Sequence, residues 1–173
     1  MDSAYEYMFK AAYMFKDKDY AKMWEEAKAT IYEKLYNKEV KIFHDFGGNV
    51  FPSLAAFYPG VLALANDTEV ALDVLKTIMR VWDTLGVLPE SAGVSQDSAW
   101  IANEGYPLRP EFPESLYHAF KKTGKEFLLD FGEKVVNTLE RTRQKCGFAA
   151  ISNVRNFVVK ITLIFLCFVY FTH

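Results

Sequence analysis

Apolar residues recur with helical spacing along most of this chain, and the helices they predict come in pairs. Six segments carry the pattern: 3–16, 20–35, 53–65, 68–85, 111–122 and 126–143. In the last of these, Phe127, Phe131, Val135 and Leu139 fall on one stripe, as in an amphipathic helix that buries one face. Short polar breaks join the members of each pair, so the pattern predicts three αα-hairpins.

Two longer connections, residues 37–52 and 86–110, separate the pairs. The first contains two glycines between β-prone residues, which predicts a short β-hairpin with strands near 40–43 and 49–51. Pro59 and Gly60 are expected to delay or kink the helix that follows. In an array of helical hairpins the long loops share one face, where binding residues usually lie. We therefore expect an all-α fold whose candidate site is on the long-loop face.

The C-terminal segment differs from the rest of the chain. Residues 157–171 are apolar except for Lys160 and Thr162, and they are fewer than the about 20 that a comfortable bilayer span needs. The segment could be a core element, a marginal membrane anchor, or sequence that selection for this fold has not shaped, and we favour the third. The predicted organisation is a domain over 1–155 and an apolar tail over 156–173.

Composition, charge and motifs argue against several classes of function. The 173 residues are 51% apolar and 24% charged, with a net charge of -2, which indicates one globular domain without the basic patch that nucleic acid requires. The histidines His44, His118 and His173 and the cysteines Cys146 and Cys167 have no zinc-ligand spacing. Phosphate-binding loops and nucleophile elbows are also absent from the sequence. The first residues predict an amphipathic helix rather than a signal peptide, so the product, taken literally, is cytosolic.

Carboxylates at predicted helix starts are the strongest candidates for chemistry. The segment YPLRPEFPES, residues 106–115, places Glu111 in a first helical turn behind Arg109 and Pro110. The partial positive charge of a helix N-terminus favours an ionised Glu111, which suits a base better than an acid. Proline followed by glutamate is also ordinary chemistry for a helix start, so this segment alone leaves a structural role open.

Asp2 and Glu90 lie at or near the starts of other predicted elements on the same face. Ser3 and Glu6 fit a capping box, which explains both of them without a function but does not explain Asp2. Glu90 could equally face solvent, and Arg109 could be an ordinary surface arginine. Together these carboxylates suit acetal hydrolysis, in which one carboxyl protonates the leaving oxygen and another activates water.

Five segments of the chain resemble one known family in their order and spacing. They are DSAYEY (2–7), SLAAFYPGVLAL (53–64), GVLPE (86–90), YPLRPEFPES (106–115) and KCGFAAISNV (145–154). The chain resembles the class I α-1,2-mannosidases of glycoside hydrolase family 47 over about residues 1–155. Within that family it is similar to the ER degradation-enhancing α-mannosidase-like branch, which has a Ser-Leu pair where the processing mannosidases carry a histidine.

The resemblance implies a fold, a reaction and site residues. The fold is an α/α barrel of seven helical hairpins, of which this chain would form about three. The reaction is inverting removal of α-1,2-linked mannose from N-glycans, with a calcium ion at the barrel floor. Asp2, Glu90 and Glu111 match the family's catalytic carboxylates, with Glu111 as the base candidate, and Arg109 and Glu114 match positions that line the sugar subsite.

The resemblance also implies that part of the family domain is missing. The calcium-ligating threonine would lie beyond the C-terminus, and a partial barrel would expose apolar helix faces, so we expect the chain to be inactive on its own. The implied parent protein is in the endoplasmic reticulum, in the lumen or on the membrane through 157–171, and its partners are high-mannose glycoproteins and an oxidoreductase. The alternatives are a lectin-like, non-catalytic piece and a generic helical-repeat scaffold, although the 34-residue tetratricopeptide period is not met.

Overall fold

The computed structural model of the chain describes residues 3–45, 48, 50–145 and 147–163. Within these ranges six α-helices follow one another as three pairs, as the hydrophobic pattern predicted. Their bounds are Ala4–Phe15 (α1), Lys18–Leu35 (α2), Tyr58–Leu64 (α3), Thr68–Leu85 (α4), Glu111–Thr123 (α5) and Phe127–Glu140 (α6). The predicted ends differ from these by a few residues.

Local interactions determine where several helices begin and end. Asp17 precedes α2, and its Oδ1 accepts hydrogen bonds from the backbone N–H groups of Asp19 (2.8 Å) and Tyr20 (3.1 Å). These bonds satisfy two donors that a helix start leaves without partners. Gly86 follows α4 and Gly124 follows α5, with φ of 83° and 66°. Glycine adopts this left-handed conformation without a steric penalty and so ends a helix readily.

The segment around Pro59 starts as a 3-10 helix, Ser53–Phe57, and becomes α3 only at Tyr58. Proline has no N–H for the helical ladder and is tolerated in a first turn. This arrangement confirms the predicted delay. Gly60 is required for close packing, because a Cβ at this position would lie 2.8 Å from Oγ and 3.0 Å from Cα of Ser115 on α5.

Within the described residues three small antiparallel sheets accompany the helices, so the fold is mostly helical. The strands are Tyr36–Asn37 (β1) with Ile42–Phe43 (β2); Val50–Pro52 (β3), Ser91–Val94 (β4) and Ala99–Asn103 (β5); and Arg143–Gln144 (β6), Gly147–Asn153 (β7) and Val158–Leu163 (β8). In each sheet the strands follow the order β1-β2, β3-β4-β5 or β6-β7-β8. The hydrophobic pattern missed most of them, and five of the eight have four residues or fewer.

Among the described residues of this segment, 40–43 and 50–51 do not pair as the strands of the predicted β-hairpin. Instead β2 turns back onto β1, and β3 pairs with β4. The reason is local. The Asn37 side chain accepts hydrogen bonds from the N–H groups of Glu39 and Val40, both at 3.0 Å, which closes a tight turn between β1 and β2.

The apolar C-terminal segment is described only as far as residue 163. Its first part forms β8, which pairs antiparallel with β7. The remaining residues of the segment, 164–171, lie outside the described residues, and the proposed boundary at 155 stays a prediction. In the part of the chain that the structure covers, no helix is both long and apolar enough to cross a membrane.

The core is centred on α3, α4 and α5. Eight residues of α4 are buried: Ala71, Val74, Leu75, Thr77, Ile78, Met79, Val81 and Trp82. Trp82 packs against Tyr106 and Phe112, with ring centroids 6.0 and 5.7 Å apart. In contrast, α1 contributes no fully buried residue. The part of the molecule around Tyr106 and the start of α5 is therefore rigidly supported.

Candidate active site

Backbone hydrogen bonds from three parts of the chain meet just before α5. The N–H of Glu90 donates to the Gly105 carbonyl at 2.5 Å, and the Glu90 carbonyl accepts from the N–H of Ser53 at 2.9 Å. On the other side, Tyr106 and Ile151 exchange two backbone hydrogen bonds of 2.7 and 2.9 Å. The 105–106 segment is thus held between residue 90 and β7, which fixes the start of the loop that leads into α5.

That loop contains a residue in an unusual backbone conformation. Leu108 has a φ of 61°, in the left-handed region that costs a non-glycine residue about 1–2 kcal/mol. Its side chain is only 3% exposed, so burial offsets this cost. The turn at Leu108 comes just before Arg109, and Pro110 then precedes the first residue of α5. Strained residues of this kind often accompany functional sites.

Arg109 links two of the predicted catalytic carboxylates. Its Nε donates to Glu90 Oε2 at 2.8 Å and its Nη2 donates to Glu90 Oε1, which makes a bidentate pair. Its Nη1 lies 3.8 Å from Glu111 Oε1. The bond to Glu90 raises the pKa of Arg109. A permanent positive charge therefore lies between carboxylates from two different parts of the chain.

Glu111 is less exposed than its two neighbours, at 18% of the side chain against 28% for Arg109 and 30% for Glu90. Its Oε2 is buried and has no hydrogen-bond partner in the described part of the chain. Burial raises the pKa of Glu111, although a backbone N–H and Arg109 act in the opposite direction. The net direction is opposite to the one that the helix dipole alone predicts, because burial is the larger influence.

Glu114, one turn further along α5, belongs to an adjoining polar group. Its Oε1 lies 3.5 Å from His118 Nε2. The interaction with His118, with a contribution from Lys10, lowers the pKa of Glu114. Lys10 belongs to α1, where it also pairs with Glu6. Because the charge of Glu114 contributes to the raised pKa of Glu111, the two groups are electrostatically coupled.

The structure thus brings three of the predicted site residues, Glu90, Arg109 and Glu111, into one cluster and leaves Glu114 beside it. Asp2 lies outside the described residues. Its place beside the other carboxylates stays a prediction, as do the chemical roles of the cluster.

The sequence patterns missed Lys10 and His118. Each is four residues from a glutamate, Glu6 and Glu114 respectively, and this i,i+4 spacing was the available signal. The predicted capping box is not formed. Ser3 precedes α1 without a side-chain capping hydrogen bond, and Glu6 pairs with Lys10 instead.

Ser53, the first residue of the Ser-Leu pair, is next to the cluster through its backbone bond to Glu90. Its side chain is 1% exposed, and its Oγ has no hydrogen-bond partner among the described residues. A buried hydroxyl without a partner is uncommon, because burying it costs free energy. Ser53 is therefore a further polar group at the edge of the site.

The family resemblance implies a bound calcium ion. Calcium takes about 6–8 oxygen ligands. Among the residues that the structure describes, no group of three or more His, Cys, Asp or Glu side chains could hold a metal ion. The carboxylates of Glu90 and Glu114 are paired with Arg109 and His118 instead.

The cluster has the elements that hydrolysis of a glycosidic bond uses. Such hydrolysis needs two carboxyl groups, one to protonate the leaving oxygen and one to take a proton from water. Glu111 has an oxygen without a partner and a raised pKa, and a carboxylate of raised pKa is the stronger base. The Arg109 guanidinium offers donors in a fixed geometry, which can orient an oxygen-rich ligand.

Comparisons with known proteins agree with this interpretation. The chain is 32% identical over 171 residues to human "ER degradation-enhancing alpha-mannosidase-like protein 2", covering 90% of this chain and 28% of the relative. It is 33% identical over 160 residues to "Alpha-mannosidase I MNS4" of Arabidopsis thaliana, covering 89% and 26%. The chain therefore spans little more than a quarter of the length of these relatives.

A solved structure has the same fold. The α-1,2-mannosidase from Trichoderma reesei superposes with a TM-score of 0.76 at 20% sequence identity, covering 90% of this chain and 40% of that one. The sequence profile named "Glycosyl hydrolase family 47" matches residues 1–161. Through this match the chain belongs to glycosyl hydrolase family 47.

Proposed function

We propose that this chain forms part of an α-1,2-mannosidase domain that trims mannose from high-mannose N-glycans of misfolded glycoproteins in the endoplasmic reticulum. Its family and the names of its relatives, several of which are ER degradation-enhancing α-mannosidase-like proteins, support this proposal. On this proposal the three helical hairpins are three of the seven in an α/α barrel. The full domain acts by inversion, with calcium held by residues outside those described.

The observation that carries the proposal is the position of Arg109 between Glu90 and Glu111. We infer that Glu111 takes a proton from the attacking water, since its free oxygen is buried and burial raises its pKa. Asp2 or Glu90 supplies the second carboxyl group, which protonates the leaving glycosidic oxygen. Arg109 and Glu114 orient the sugar hydroxyls.

The 173 residues on their own are proposed to bind a sugar without cleaving it. They span 28% of the human relative and 40% of the Trichoderma enzyme. A sugar subsite needs only Arg109 and its neighbouring carboxylates, whereas turnover needs every catalytic group held in place at once.

Binding is tested by thermal denaturation of the 173-residue chain with a mannose-configured imino sugar. The ligand should raise the melting temperature of the wild type and have no effect on Arg109→Gln, which lacks the proposed sugar-orienting donors. The matched control is Arg143→Gln, which breaks another bidentate arginine pair, Arg143–Glu140, on an exposed surface. This control should keep the full ligand-induced shift, and an equal loss in both variants would refute the subsite.

Mannose release is measured in parallel with a high-mannose glycan and calcium. We expect no release above the blank from the 173-residue chain. Release that disappears in Glu111→Gln would overturn the inactivity of the isolated chain while supporting the role of Glu111.

A lectin-like function is the second candidate, and the bidentate Glu90–Arg109 pair favours it. Arg109 occupies both oxygens of Glu90 in this arrangement, so neither oxygen is available to a leaving glycosidic oxygen. In a longer protein containing this segment, imino-sugar binding without any mannose release would support the lectin over the enzyme.

A further inference from the structure

The turn between α3 and α4, residues 65–67, is separate from the cluster of Glu90, Arg109 and Glu111. The N–H of Asn66 donates to the Ala63 carbonyl at 3.2 Å, and the N–H of Asp67 donates to the Leu62 carbonyl at 2.8 Å. These two bonds form a Schellman motif at the end of α3. Asn66 has a φ of 68°, the left-handed conformation that this motif requires and that asparagine tolerates better than most residues.

The Asn66 side chain is directed away from the core of the turn. The residue is exposed, and its amide makes no hydrogen bond within the described part of the chain. Asp67 behaves differently, because its Oδ2 accepts a hydrogen bond from the Tyr32 hydroxyl at 2.5 Å and lies 3.8 Å from Lys28 Nζ. The Asp67 carboxylate therefore contacts side chains of α2, whereas the Asn66 amide is accessible.

We propose that Asn66 is a site of N-linked glycosylation. Asn66–Asp67–Thr68 matches the acceptor pattern Asn-x-Ser/Thr, which marks an exposed segment of a protein that enters the secretory route. Of the asparagines in the sequence, Asn66 is the one with a serine or threonine two positions later. The proposal rests on the endoplasmic-reticulum location in the proposed function, because the modifying enzyme acts there.

The chemistry is a transfer from a lipid-pyrophosphate-linked oligosaccharide. The amide Nδ2 of Asn66 forms a bond to the anomeric carbon of the first sugar and gives up one proton. The bond from that carbon to the pyrophosphate oxygen breaks, and the lipid pyrophosphate leaves with the electron pair. No atom changes its oxidation state, so the lipid-linked oligosaccharide is the one co-reactant needed.

The glycan would not obstruct the candidate active site. Asn66 lies just before α4, whereas Glu90 lies shortly after the other end of that helix. The 18 residues of α4 span about 27 Å at 1.5 Å per residue. A sugar chain on Asn66 therefore starts at the opposite end of α4 from Glu90.

The test is translation of the full chain, fused to a cleavable signal peptide, in the presence of microsomes from the endoplasmic reticulum. A second acceptor sequence, placed between the cleavage site of the signal peptide and Met1, reports whether the chain has reached the transferase. We expect two mobility steps for the wild type, both removed by a peptide N-glycosidase. Asn66→Gly and Thr68→Ala should show one step, and Thr68→Ser should keep two.

Asn66→Gly retains the left-handed turn, because glycine adopts it freely, so loss of a step in that variant does not reflect misfolding. The matched control is Asn137→Gln on the exposed surface of α6, where Asn137 is followed by Thr138 and Leu139 and is not an acceptor. This control should keep two steps. A wild type with one step overturns the proposal, since the glycan on the added acceptor sequence proves access to the transferase. The outcome is independent of imino-sugar binding and mannose release, so it can fail while the proposed function holds.

Discussion

At the scale of single residues, Glu111 shows how burial competes with nearby positive charge. The start of α5 and Arg109 both favour its ionised form, yet burial is the larger influence and raises its pKa. Glu114, one turn later, has a lowered pKa because it interacts with His118. Two glutamates on one helix therefore differ in the protonation state that folding favours, as general acid and base groups often do.

The two glutamates should give opposite dependences of stability on pH. A raised folded-state pKa means that Glu111 contributes stability below its unfolded-state pKa and loses it as pH rises through the folded value. Glu111→Gln should therefore gain stability relative to wild type as pH increases from about 4.5, the ordinary value, towards neutral. The measurement is the free energy of unfolding in urea across this pH range.

Glu114→Gln is the matched control on the same helix. The lowered pKa of Glu114 contributes stability above its unfolded-state value, which is lost as pH falls through the folded value. This variant should be less stable than wild type near neutral pH and approach it in acid. Parallel pH profiles for the two variants would contradict the opposite environments assigned to these carboxylates.

At the scale of elements, the contact between α3 and α5 depends on one buried hydroxyl. Ser115 Oγ donates towards the Ala56 and Phe57 carbonyls, at 2.5 and 3.0 Å, and accepts from the N–H of Gly60 at 2.9 Å. A proline-containing helix start leaves backbone groups without ladder partners, and Ser115 satisfies them from the neighbouring helix. Since Ser115 follows Glu111 by one turn of α5, the same contact positions the candidate base.

Ser115→Ala should lower the free energy of unfolding by about 1–3 kcal/mol, because it leaves buried backbone groups without partners. The control is Thr84→Ala. The Thr84 hydroxyl donates to the Arg80 carbonyl on the exposed side of α4, and its loss should change stability by less than about 0.5 kcal/mol. Urea unfolding of both variants measures these changes. Equal losses of unfolding free energy would show that the Ser115 hydrogen bonds are not specially stabilising.

At the scale of the whole molecule, the α1–α2 hairpin is packed less completely than the centre. Tyr13, Met14 and Phe15 in α1 are 78%, 69% and 73% exposed. Met14 and Phe15 line one apolar surface with Tyr7 and Tyr20, and such an exposed surface is unusual on an isolated domain. We expect neighbouring helices to cover this face in a complete barrel.

Hydrogen exchange should reveal this difference. Amides of α1, which has no fully buried residue, should exchange well before those of α4, which has eight, because local opening is easiest where little apolar surface is buried. Mass spectrometry of peptides from the two helices makes the comparison within one sample. Protection of α1 equal to that of α4 would mean that another surface covers it, and a dependence on protein concentration would identify a second copy.

Much of the helical structure could be predicted because its causes are local. The 3.6-residue spacing of apolar positions, the capping Asp17, and the glycines Gly86 and Gly124 each act within a few residues. The sheets could not be predicted in the same way. The pairing of β3 with β4 joins residues about 40 positions apart, and pairing over such distances depends on the packing of the helices between them.

The same distinction between local and long-range causes applies to the candidate site. The sequence by itself determined the family, through several characteristic segments in order, and named Glu90, Arg109, Glu111 and Glu114 as site residues. Tertiary structure alone decided that Arg109 pairs with Glu90 through both oxygens and that Glu111 is buried. The physical reason is that charge and helix position are properties of neighbouring residues, whereas desolvation and pairing depend on what the folded chain brings from far away.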